Sequence, residues 1–188
     1  MKKLAIAILS TALFSATAFH WVDPAVGWRK AAIVLAPGGV LALLVHRGVS
    51  DGRTKGVDAE FRANLRKYAP ELADTLSPDR DLAAILDGVE PRRGNASQVW
   101  DWIMGERRGL AVDEAAGLFT DVEVESVVEN VERTADELTA HLKTTSLYFS
   151  VPEESRGAFL ADDRAIIERH GGSLQFSEGS FLMTALRR

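Results

Sequence analysis

Residues 15–24 read Ser-Ala-Thr-Ala-Phe-His-Trp-Val-Asp-Pro, and residues 35–44 read Leu-Ala-Pro-Gly-Gly-Val-Leu-Ala-Leu-Leu. Asp23 has a side-chain oxygen that can cap a helix, and Pro24 suits the first helical position, where an N–H is not needed. The spacing predicts a helix from about Pro24 to Leu35, with Val26, Ile33 and Val34 available for packing. Ala36-Pro37-Gly38-Gly39 breaks it, and Val40–Val45 (VLALLV) follows as an almost wholly apolar run of strand length. On the other side, Leu4 to Ala18 is an uncharged run that can supply a strand before the helix. Strand, helix, tight turn and strand make a βαβ unit whose second strand is buried on both faces.

The run ahead of Phe19 has a second reading. Met1 to Ala18 (MKKLAIAILSTALFSATA) opens with two lysines and closes on Ala16-Thr17-Ala18, which is the shape of a secretory signal with an A-x-A-like cleavage site. Its Ser and Thr residues and its shortness argue against a membrane span. Residues 1–18 therefore stand as a signal-like segment or as a strand, and the capped helix directly behind them favours the strand. Cleavage after Ala18 would remove that strand and leave an exported product beginning at Phe19.

The 188 residues include 22 Lys plus Arg against 27 Asp plus Glu, for a net charge of -5, with 46% apolar residues and no cysteine. An isoelectric point near 5.4 argues against sequence-independent nucleic-acid binding and against an anionic membrane surface. Without cysteine there is no disulfide framework, thiolate metal site or thiol nucleophile. The length suits one domain with a real core.

The string SATAFHWVDP (Ser15–Pro24), a helix, and then LAPGGVLALL (Leu35–Leu44) resembles the middle of class I S-adenosylmethionine-dependent methyltransferases of the small-molecule type. In that family the fourth strand ends in an aromatic-His-Trp segment, and a Pro-Gly-Gly turn leads into the fifth strand. Gly117–Ser146 resembles the sixth strand and the helix after it, Val151–Gly172 the last helix, and LQFSEGSFLMTALRR (Leu174–Arg188) the final strand. The resemblance implies an α/β fold with a partial Rossmann-like methyltransferase sheet, strands four to seven, and a helical cap insertion. Residues 10–188 would form a truncated methyltransferase domain, with 48–116 as the substrate-cap insertion.

The residues of those segments read consistently with it. Val122 and Val124 alternate with Glu123 and Glu125, and the offset pair Val127 and Val128 predicts a phase slip at Ser126, as in a half-exposed strand with a bulge. Thr134 and Glu137 have capping-box spacing for a helix to about Lys143. Pro152, Glu153 and Glu154 open another helix, closed by Gly171-Gly172, and the last seventeen residues suit one bent strand or a hairpin around Glu178-Gly179. Between the halves, Gly48–Val57 reads as a charged loop, Ala59–Leu72 and Pro78–Leu86 as amphipathic helices, and Asp87–Ser97 as a polar loop.

Methyl transfer from a sulfonium is an in-line displacement that needs donor and acceptor held close and, for some acceptors, a base. The resemblance places Ala18, Phe19, His20 and Trp21 beside the donor, S-adenosyl-L-methionine, with His20 as base or orienting group. It places Trp100, Trp102, Thr145 and Tyr148 near a small-molecule acceptor. Each has a plainer reading: Trp100, Trp102 and Ile103 as core, Thr145 as a cap, Tyr148 and Trp21 as packing, and His20 as a loop hydrogen bonder. His46, His141 and His170 have no partners at metal-ligand spacing, so no metal is expected. No G-x-S-x-G elbow occurs either.

One family feature is absent. No D/E-x-G-x-G-x-G string, the turn that lets backbone approach a nucleotide, occurs in the chain; Gly38-Gly39 and Gly171-Gly172 each follow a helix. Strands one to three with their helices would need roughly 80 to 100 more residues, at about 30 per βαβ unit. The expectation is a chain inactive by itself, fronted by a foreign or misassigned amino terminus and residing in the cytoplasm. The alternative is a non-catalytic interaction module or half-enzyme. It would dimerise, or take up a complementing amino-terminal half, through the uncovered edge of strand four.

Overall fold

The computed structural model describes residues 10–75, 80–106 and 109–188. In chain order its elements are β1 (Ser10–Ala16), α1 (Pro24–Val34), β2 (Leu35–Val49), α2 (Lys55–Tyr68), α3 (Pro70–Thr75), α4 (Leu82–Asp87), α5 (Ala96–Ile103), β3 (Phe119–Thr134), α6 (Ala135–Leu142), α7 (Ser146–Ser150), α8 (Arg156–Arg169) and β4 (Ser173–Arg187). The protein is α/β, and its strands form one four-stranded sheet in the order β1-β2-β4-β3.

The βαβ unit forms as its sequence predicts. Residues 10–16 of the signal-like segment are strand β1, which runs parallel to β2, while residues 1–9 lie outside the described residues. Asp23 caps α1 by accepting the Ala25 N–H at 3.0 Å, Pro24 sits in the first turn, and the helix ends at Val34. The Pro-Gly-Gly turn lies inside the span of β2. Ser10 pairs with Leu35 and Ala12 with Val40, so two steps along β1 match five along β2 and residues 36–39 loop out. Gly38 has φ +74°, and a Cβ on Gly39 would lie 2.8 Å from the Ala36 carbonyl oxygen. Two glycines in succession make that loop possible.

The chain divides into two compact units. The first takes the described part of Met1–Arg47, with Ala83–Val127 and Gly179–Arg188; the second takes Gly48–Leu82 and Val128–Glu178. Residues 48–82 of the expected cap insertion fall in the second unit and 83–116 in the first. The core of the first unit is built on Trp28, Leu41, Leu43, Ile85, Trp100, Ile103, Phe119, Phe181 and Met183, each at most 2% exposed. Burial of such side chains contributes about 1.5 to 3 kcal/mol apiece before entropy is counted. In the second unit, Val57, Ala135, Ile166, Ile167 and Leu174 make one cluster, and Leu65, Ala69, Ala73, Val151 and Phe159 another.

The structure adjusts some local expectations and, for the carboxyl-terminal stretch, chooses between two. In β3 the phase slip falls at Glu129–Asn130, two successive exposed positions, instead of at Ser126: Ser126 and Val128 turn inward and Val127 is 63% exposed. The carboxyl-terminal stretch is one strand, with no hairpin at Glu178-Gly179. Asp87–Ser97 is not all loop, because Asn95 caps α5 and helix begins at Ala96; the Asn95 Oδ1 accepts the Ser97 N–H at 3.0 Å. The helix read over Pro78–Leu86 appears as α4 from Leu82, its first residues falling partly outside the described ones.

Candidate functional site

The carboxyl end of β1 leads into a short, tightly held turn. Thr17 continues the parallel ladder, its N–H donating to the Leu44 carbonyl at 2.8 Å, yet its φ is +50°. That left-handed backbone costs a β-branched residue about 1–2 kcal/mol. A single 3-10 turn over Phe19–Trp21 follows, closed by Trp21 N–H to Ala18 O at 3.0 Å and Val22 N–H to Phe19 O at 3.1 Å.

The turn is seated on α1 through Phe19. Its ring lies edge-on to Trp28 at 5.0 Å, Trp28 meets Phe119 edge-on at 6.0 Å, and the Trp28 indole N–H donates to the Leu110 carbonyl at 3.3 Å. Gly27 lets the turn come this close, since a Cβ there would lie 2.9 Å from Val22 Cγ1. With Phe19 anchored inward, Ala18 and Trp21 face outward. Trp21 is 63% exposed, and its ring lies 5.2 Å from that of His20. His20 is half-buried, with Nδ1 shut off from solvent. The four residues expected beside the donor are thus contiguous, Phe19 supporting and Trp21 presented.

The four residues expected near the acceptor divide between the units. In the first, Trp100 is 1% exposed and belongs to the core. Trp102 is half-buried: its indole N–H donates to the Ile85 carbonyl at 2.8 Å, and the Arg92 guanidinium lies 4.0 Å from its ring centre. A cleft of about 430 Å³ in the same unit is lined by Pro91, Arg92, Gln98, Asp101, Glu106 and Ala111 and contains none of the expected site residues. In the second unit, Thr145 caps α7, accepting the Tyr148 N–H at 3.3 Å and donating to the Leu142 carbonyl at 2.7 Å. Tyr148 is half-buried, with the Arg156 guanidinium 5.4 Å from its ring centre.

Two polar clusters of the second unit escaped the sequence reading. After β2, Arg53 donates to Asp51 (2.7 Å from Nε), to Ser177 at 2.8 Å and to Asn130, joining the loop to β4 and β3. The Arg53 and Ser177 hydrogen bonds hold the Asp51 carboxyl well below the usual carboxylate range. Between α2 and α8, Asp163 is 5% exposed, and one of its oxygens accepts from the Asn64 amide at 2.7 Å. Burial pushes its carboxyl up to about 6. Asp51 and Arg53 are close in sequence, but Asn130, Ser177 and the Asn64–Asp163 pair meet only through the fold. No group of three or more His, Asp or Glu residues placed to hold a metal occurs among the described residues.

No family model matches the chain, and no curated protein matches it. Solved structures do. A candidate type II methyltransferase from Anaeromyxobacter dehalogenans is similar over 97% of this chain and 66% of its own, with TM-score 0.50 and 17% identity. A candidate methyltransferase from Bacillus halodurans covers 94% of this chain and 68% of its own, with TM-score 0.39 and 16% identity. A phosphoethanolamine N-methyltransferase from Haemonchus contortus, in complex with S-adenosylhomocysteine, covers 94% of this chain and 33% of its own, with TM-score 0.30 and 12% identity. The first of these carries the structural conclusion: the chain has the α/β, Rossmann-like fold of class I S-adenosylmethionine-dependent methyltransferases. It spans about two thirds of the length of that structure.

Proposed function

We propose that the chain serves methyl transfer from S-adenosyl-L-methionine to a small-molecule acceptor, and that these 188 residues do not carry out the reaction unaided. The observation behind this reading is the turn at the carboxyl end of β1, where parallel α/β sheets take their ligands. When bound, the donor supplies a methyl carbon on a sulfonium. An acceptor that carries a proton would need a base to take it. His20 is assigned that proton or the acceptor's orientation. Trp21 offers an exposed aromatic face, which attracts a cation. In the same unit, Trp102 is assigned to the acceptor side.

These residues fit one wall of a donor site. The β1–α1 turn, Thr17–Asp23, contains no glycine, and no glycine-rich cradle stands in the sequence, so no closed nucleotide site is derived from it. We place the protein in the cytoplasm, without nucleic acid or membrane as partner, a reading supported by its net charge of -5.

A titration of the isotope-labelled chain with S-adenosylhomocysteine tests both halves of the proposal. Amide shifts centred on Ala18–Trp21, saturating only at millimolar ligand, are expected. Binding tighter than about 10 µM would remove the claim that these residues do not act unaided. Shifts confined to other segments would remove the donor-site assignment.

A further inference from the structure

We infer that His46, at the carboxyl end of β2, takes the proton of a phenol-type hydroxyl acceptor, with Ser180 holding its ring. This rests on the methyl-transfer reading above and adds to it the base and the acceptor class of the same site.

β1 and β2 run parallel, so their carboxyl ends open at the same end of the sheet, where such sheets take ligands. The ladder between them closes with Ala16 beside Leu44 and the Thr17 N–H on the Leu44 carbonyl. β1 then leaves for the turn that carries His20 and Trp21, while β2 runs on to Val49. His46 stands two residues past Leu44, about 7 Å along the strand, and by alternation on the same sheet face as Leu44 and Ala16. Leu41, Leu43 and Val45 occupy the other face and are buried. His46 is exposed, and its Nδ1 meets Ser180 Oγ at 3.2 Å on the neighbouring strand β4. His46, Ser180, His20 and Trp21 all belong to the first unit.

With Nδ1–H donating to the Ser180 hydroxyl, Nε2 of His46 carries the ring's lone pair and is the basic nitrogen. His20 is half-buried, with Nδ1 shut off from solvent, and keeps the orienting role. The exposed ring of His46 can hand a proton on to water. As the acceptor hydroxyl gives up its proton, the O–H electron pair stays on oxygen, the proton bonds to Nε2, and water then takes it; nothing is oxidised or reduced. The acceptor class follows from the base. An amine already has its lone pair, a thiol ionises readily without help, and an aliphatic alcohol is too weak an acid for an imidazole. A phenol, with a pKa of about 10, lies within reach of one. The exposed ring of Trp21 offers an aromatic acceptor a face to stack on.

Nitrogen-15 spectra of the histidine-labelled full chain at pH 8, where an imidazole is ordinarily neutral, test this. The probe is phenol and the control is anisole, its methyl ether, each with and without S-adenosylhomocysteine. His46 should hold its proton on Nδ1, and phenol at millimolar concentration should move its Nε2 signal while anisole does not. His141 and His170, in the second unit, should stay in place. Ser180→Ala should shift the proton toward Nε2, and His46→Ala should weaken phenol binding, read at the Trp21 indole N–H, by threefold or more. Circular dichroism shows whether each variant is folded, and the spectra of the unaltered chain decide should either fail to fold. A proton on Nε2, a His46 response to phenol that is absent or matched by anisole, or unchanged behaviour of either folded variant overturns the inference. Amide shifts at Ala18–Trp21 with S-adenosylhomocysteine report on the donor site separately. Their absence removes the methyl-transfer reading, whereas their presence without a phenol response at His46 removes this inference alone.

Discussion

Asp163 places an ionisable carboxyl where water hardly reaches, between α2 and α8, with the Asn64 amide as its hydrogen-bond donor. Its folded value of about 6 lies above the ordinary 3.8, because burial penalises the charged form. Between those pH values the folded chain keeps a proton that the unfolded chain releases. The stability contributed by the neutral carboxyl is therefore complete below about pH 4, falls as pH rises through about 6, and is gone above that. Asp163→Asn keeps an acceptor for Asn64 and removes the ionisation. At pH 8 urea unfolding should show it more stable than the natural chain by ~2–3 kcal/mol, and at pH 4 no more stable. Equal stability of the two chains at both pH values would mean that Asp163 is hydrated. Two adjacent aspartates, Asp162 and Asp163, give no sequence signal as to which is buried, and the Asn64–Asp163 pair lies 99 residues apart along the chain.

Elements whose determinants are local were the legible ones. Thr134 and Glu137 form the reciprocal cap of α6: the Thr134 Oγ1 accepts the Glu137 N–H at 3.3 Å, and Glu137 Oε2 accepts the Thr134 N–H at 2.8 Å. Thr134→Ala should cost about 1 kcal/mol. For a chain of this size that is a fall of roughly 2–4 °C in the thermal midpoint, with Thr134→Asp restoring most of it. An unchanged midpoint would show that tertiary packing alone holds α6. The Asp23-Pro24 start of α1 was equally readable, because a cap is a relation between near neighbours. The phase of β3 was not: two valines in a row offered two inward positions, and the neighbouring elements chose Val128 and left Val127 to solvent.

For the whole molecule, net charge sets how strongly copies repel one another. Near the isoelectric point of about 5.4 that repulsion vanishes. Light scattering of the chain should rise as pH falls from 8 toward 5.4. Scattering that stays constant over that range would show that something other than net charge keeps the copies apart.

The βαβ unit, the capped helices, the lack of a D/E-x-G-x-G-x-G string and the net acidic charge were all set by residue order and composition, since each depends on neighbours along the chain or on sums over it. The joining of Arg53, Asn130 and Ser177, the burial of Trp100 against the exposure of Trp21 and the positive φ of Thr17 required the folded chain. Those features come from segments far apart in sequence, and which of several acceptable apolar or polar positions turns inward is settled only when the other segments arrive to pack against it.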